Sequence, residues 1–116
     1  MEAIGQLESL YTKSENNYRL AGKISKNEWI KQSSSWNQEL NDIIKKYSLN
    51  SDYIENNKFH YNAAWRYLAL TSIDLFSLHD NYSSEILSGE SPNKDKREYL
   101  IQCVVDDFKE VRKHLE

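Results

Sequence analysis

Read for spacing alone, the chain falls into four stretches in which apolar side chains recur every three or four residues, the period of a helix packed along one side. In the first, Ile4, Leu7, Tyr11, Ser14 and Tyr18 form the seam, which predicts a helix from about Glu2 to Ala21 with Gly22 as its stop. Its second half, KSENNYR, is poor in helix formers, so packing against neighbours must hold it. The second stretch opens on Ser25 followed by Glu28, the spacing of a capping box, and predicts a helix from Lys26 to about Tyr47. Trp29, Ser33, Trp36, Leu40, Ile43 and Tyr47 alternate spacings of four and three. That is the stripe of a helix lying nearly antiparallel to its neighbour.

The third stretch, Phe59 to His79, is the longest apolar-rich run and contains neither Gly nor Pro. Tyr61, Ala64, Trp65, Leu68, Leu75, Phe76 and Leu78 cover more than half of its circumference, and Leu70 and Ile73 extend apolar character to the other side. A helix so widely apolar is expected to be buried on more than one side, at the centre of the domain. Its start is expected near Ser51 or only near Phe59, and its end at about His79. Asp80 to Ser91 then reads as the longest connection, with room for a short helical turn around Tyr82, Ile86 and Leu87. Ser91-Pro92 gives a start signal, Ser as N-cap and Pro as first helical residue, for a fourth helix to about His114. Ile101, Val104, Val105, Phe108, Val111 and Leu115 line one arc of it. Four amphipathic segments without strand alternation predict an all-α fold, a single domain over residues 1–116 built as an antiparallel, up-down bundle of about four helices.

Composition narrows the function classes more than it identifies one. A single cysteine, Cys103, excludes an internal disulfide or a cysteine-based zinc cluster. No leader pattern opens the chain, so a reducing cytoplasm is the expected setting. Arg66, Asp74 and several Ser and Asn interrupt the best apolar run, so no membrane span is expected. The net charge of −3, with Lys and Arg scattered among acids, does not favour nucleic acid as a partner.

The candidate chemistry lies on the last two helices. Cys103, Asp107, Glu110 and His114 share one face of helix four. Stretched over about 16 Å of a straight helix they are too far apart to hold one ion, and this face is expected to meet solvent. Asp74 sits mid-helix on the flank of His60 and Tyr67; if that flank is buried, the carboxylate needs a partner. His79 is expected near a helix C-terminus, where the dipole favours it, and Trp29, Trp36 and Trp65 are expected in the core. Neither a Ser-His-Asp order nor a phosphate-binding loop nor a His-Glu metal motif occurs, and no cofactor or metal is expected.

The function expected on these grounds is that of a small, non-enzymatic protein-binding module, an inhibitor, an immunity-like bacterial protein or a subunit of a complex. Its partner would be another protein, basic in charge, or a second copy of the chain. The expected contact surface combines Asp106, Asp107 and Glu110 with the nearby aromatics Tyr82 and Tyr99. The alternative is a small-ligand binder or enzyme with a polar pocket around His60, Tyr67 and Asp74 inside the bundle.

Overall fold

A computed structural model describes residues 2–20, 24–49, 63–89, 91 and 93–115. The described residues form four helices, α1 (Glu2–Leu20), α2 (Lys26–Tyr47), α3 (Ala63–Ser88) and α4 (Lys94–Leu115). Among the described residues none is in a strand, and no helix is long and apolar enough to cross a membrane. The all-α bundle expected from the periodicity is the observed fold.

Cross-helix contacts fix the directions. Gln6 meets Tyr47 and Asn17 meets Gln32, so α1 and α2 run antiparallel. Trp29 meets Ser83 and Ser33 meets His79, which sets α2 against α3 in the same way. Tyr67 lies on His114 while Asn81 binds Arg97, so α4 runs back along α3. The bundle is therefore up-down, and the parallel pair α1 and α3 touch across its middle through Tyr18 and Tyr82. The α3–α4 pairing is the most extensive of the helix contacts.

The termini follow from local chemistry. Ser25 Oγ accepts the Glu28 N–H at 3.2 Å and starts α2 as expected. Ser48 closes it in the left-handed region (φ 55°), where the Leu49 N–H reaches back to the Ile44 carbonyl and the Leu49 side chain is buried. Ala21 and Gly22, and the start of the third helix between Ser51 and Phe59, lie outside the described residues.

Two expectations about the second half of the chain are corrected. The connection placed at Asp80–Ser91 is helical as far as Ser88, and α3 ends at Gly89 (φ 73°), a conformation that glycine adopts without steric cost. Asp80 and Asn81 are weak helix formers, but Leu68, Leu75, Tyr82 and Ile86 continue one buried stripe through them, so packing overrides propensity. The cap of α4 is Asn93 rather than Ser91: its Oδ1 accepts the Lys96 N–H at 3.0 Å, and its carbonyl accepts from Arg97. Pro92 lies outside the described residues.

Ile4, Leu7, Tyr11, Ser14 and Tyr18 of α1, Trp29, Trp36, Leu40 and Ile43 of α2, Leu68, Leu75 and Leu78 of α3, and Ile101, Val104, Phe108 and Val111 of α4 are all buried. The wrap-round burial expected of the third helix is only partial. Leu70, Ile73 and Phe76 are 41%, 52% and 50% exposed, so α3 packs on three helices and turns an apolar face outward.

Candidate functional site

Two polar constellations are built into this bundle. The first is centred on His79, which is fully enclosed in the middle of α3 because α3 continues past it, and not at a helix C-terminus as expected. Its ring stacks on Trp36 (centroids 3.8 Å apart, 3° between planes), with Trp29 at 4.8 Å. Tyr18 Oη lies 2.8 Å from Nδ1 and Ser33 Oγ 2.9 Å from Nε2, so one histidine joins α1, α2 and α3. Burial lowers its pKa to about 4 and raises that of Tyr18, so the ring is neutral and the phenol protonated near neutral pH. A serine, a histidine and a hydroxyl in line resemble a nucleophile, a base and its orienting group. Ser33, however, sits mid-helix, where its own N–H belongs to the helix ladder, and its Oγ also accepts from Asn37 at 3.3 Å. The arrangement is that of a structural hydrogen-bond chain.

The second constellation runs along the seam between α3 and α4. Nearest the turn, Arg97 is buried; it pairs with Glu85, donates to Asn81 Oδ1 at 3.2 Å and to the Tyr18 carbonyl at 3.4 Å, and lies over the Tyr82 ring. Glu85 also accepts the Asn93 N–H, so it clamps both sides of the turn. At the far end Tyr67 stacks on His114 at 5.2 Å, and His114 lies 3.6 Å from Glu110. Between the two, Asp74 of α3 meets Asp107 of α4. Burial, and then the Asp74 carboxyl beside it, pushes Asp107 up to about 8. As a carboxylate, Asp107 leaves Oδ2 buried with no donor; as an acid it can donate to Asp74.

The structure redistributes the residues singled out in the sequence. Asp107 was expected on a solvated face and is 7% exposed, because α3 covers α4 beyond the end of its apolar arc. Tyr82 was expected as a surface aromatic of the loop; it is 1% exposed, since the loop is helix and Tyr82 falls seven residues after Leu75. Asp106 and Tyr99 are exposed, Glu110 half-buried. Tyr99 has its phenol pKa raised, chiefly by the Cys103 thiol next to it. His60 and the side chain of Trp65 lie outside the described residues. Asp74 and Tyr67 share the seam, but Asp74 does not line the groove of about 540 Å³ formed by Arg66, Tyr67, Leu70 and His114. Among the described residues no three His, Cys, Asp or Glu side chains converge as metal ligands. The pairing of Asp107 with Asp74 was legible only as a need on the side of Asp74.

Compared with protein-family models, with curated proteins and with solved structures, the chain matches none.

Proposed function

We propose that this protein is a non-enzymatic protein-binding module that docks through the outward face of α3. The observation behind this reading is the exposure of Leu70, Ile73 and Phe76 on consecutive turns of a helix whose inner face alone completes the core. Apolar side chains grouped in this way on an otherwise charged surface are what a protein partner covers. Arg66 and Asp80 lie on the same side of α3 and would set the register of docking. Of the acidic surface expected from sequence, Asp106 and Glu110 stay accessible, whereas Asp107 and Tyr82 are inside. A net charge of −3 fits a basic partner, and a lone cysteine fits a reducing cytoplasm. An inhibitor or immunity-like subunit of a bacterial complex is the form of activity that such a closed scaffold serves. The alternative of a ligand pocket at Asp74 has less support, since the acids face each other across packed helices.

Affinity capture from the native host, run in parallel with wild-type bait and with an Ile73→Asp, Phe76→Asp bait, tests this reading. A protein retained by the first and lost by the second supports it. Identical captures, with both baits folded and monomeric by light scattering, would refute the choice of surface. A wild-type dimer dissociated by the two substitutions would identify the partner as a second copy.

A further inference from the structure

Among the described residues, the middle of the α3–α4 seam holds two acids and no base. Asp107 is enclosed, Asp74 is half-buried, and α4 adds Asp106 on its exposed side. The other titratable groups around them are Cys103 with the exposed Tyr99 beside it on the side of the turn, and Glu110 with His114 on the other, where α3 contributes Tyr67. From α1, which also packs on α4, Glu8 is held by Arg112 and Glu15 by Arg19. Arg66, Lys109 and Lys113 are exposed, and among the described residues no ion pair joins a cation to either acid.

We infer that Asp74 and Asp107 form a proton-operated clasp: a proton held between them closes the middle of α3 on the C-terminal half of α4, and its loss forces the two apart. The physical reason is that two facing carboxylates in a water-poor seam repel, and no cation among the described residues pairs with either to offset them. One proton converts the repulsion into a hydrogen bond. The opposite end of the seam is fixed whatever the state of the acids, because Arg97 is bound to Glu85, Asn81 and the Tyr18 carbonyl beside the turn. Opening therefore pivots about the turn and separates Tyr67 from His114 at the free end, which reshapes the groove that they share with Arg66 and Leu70. The sense is set by the Asp107 carboxyl, raised to about 8: the clasp is shut in acid and at neutrality and is released in mild alkali.

The test uses the full chain, with carboxyl-carbon NMR following Asp107 from pH 4 to 10 and amide hydrogen exchange measured at pH 6.5 and 9. The expected midpoint lies above 7. After correction for intrinsic exchange, amides of Phe108 to His114 are expected to lose about tenfold in protection at pH 9, while those of Trp29 to Leu40 keep theirs. Asp107→Asn, which keeps a donor and cannot ionise, is expected to hold the α4 amides protected at both pH values. A midpoint below 5, or a midpoint above 7 without local loss of protection, overturns the clasp. Should the variant fail to fold, the wild-type titration and exchange decide alone.

Discussion

Two buried titratable groups of this bundle, His79 and Asp107, pull its stability in opposite directions with pH, and a single substitution separates them. His79 has its value lowered from 6.5 to about 4 by burial. The folded chain therefore refuses a proton that the unfolded chain takes, and the stability due to the neutral ring is present above 6.5 and lost as the pH falls through 4. Asp107 is raised from 3.8 to about 8, so its contribution is full below 3.8 and lost as the pH rises to 8. Between pH 4 and 6.5 both act, each with a slope of about 1.4 kcal/mol per pH unit and of opposite sign. The wild-type protein is therefore expected to show little dependence from these two groups in that window. Asp107→Asn removes the offset and leaves the histidine alone, so stability is expected to fall by about 3 kcal/mol from pH 6.5 to 4. Urea denaturation followed by tryptophan fluorescence at pH 4, 5, 6 and 7 measures this. With a urea dependence of about 1–3 kcal/mol per molar for a chain of this size, the variant's midpoint should drop by about 1–3 M relative to wild type. Comparing the two proteins cancels the carboxylates other than Asp74, which faces the substituted position. Parallel curves for wild type and Asp107→Asn would refute the reasoning, since either the ring would then carry its proton in the fold or the acid would lack one.

The remaining expectations concern packing and the seam. Leu68 and Leu75 are fully buried, and either one cut to Ala should cost about 2–5 kcal/mol in chemical denaturation; a loss below about 0.5 kcal/mol would contradict the central place of α3. Arg97→Met leaves the nearly buried Glu85 unpaired and should cost about 3–5 kcal/mol, most of it recovered in the Glu85→Leu, Arg97→Met double variant. A double variant as unstable as the single one would show that the packing of the arginine, not its charge, holds the turn. Gly89→Ala forces a side chain into the left-handed region and should lower stability by about 1 kcal/mol, with an unchanged value pointing to a rearranged turn. Zinc or a chelator should leave the melting temperature where it is, because Cys103, Asp107, Glu110 and His114 do not converge; a chelator-induced drop of several degrees would show that they do.

The helices themselves were readable because their seams repeat within one element. Trp29 through Ile43 mark α2 to within a residue, and Ser25 marks its start by a side-chain bond that depends on three neighbours only. What failed depended on partners distant in sequence. Nothing near Asp80 and Asn81 says that Tyr82 will be enclosed by Tyr18 and Trp29, so weak local propensity looked like a loop. Asp107 stands roughly 40° beyond Val111 on the helical wheel, outside the apolar arc. Its burial is decided by where α3 lies, and the polar flank of α3 gave no apolar signal to announce that. The position of His79 illustrates the same limit: a histidine between Leu78 and Asp80 reads as the end of a helix until Trp36, more than forty residues earlier, is laid on its ring.

The short turn between α3 and α4 has a kinetic consequence. These two helices make the most extensive pairing in the bundle and are joined by only five residues, 89–93, so closing that hairpin demands little chain entropy. Docking α1 on α4, by contrast, brings Glu8 to Arg112 across most of the chain. The α3–α4 hairpin should therefore be the folding nucleus, with α1 and α2 condensing on it afterwards. Substitutions at Leu75 or Val104 would then slow refolding, whereas a substitution of equal cost at Leu7 or Leu40 would chiefly hasten unfolding. Refolding limbs displaced equally by all four would assign the nucleus to the whole bundle instead. On this view the clamp at Glu85 and Arg97 matters first as the contact that makes the earliest long-lived pair, before there is a core for it to be buried in.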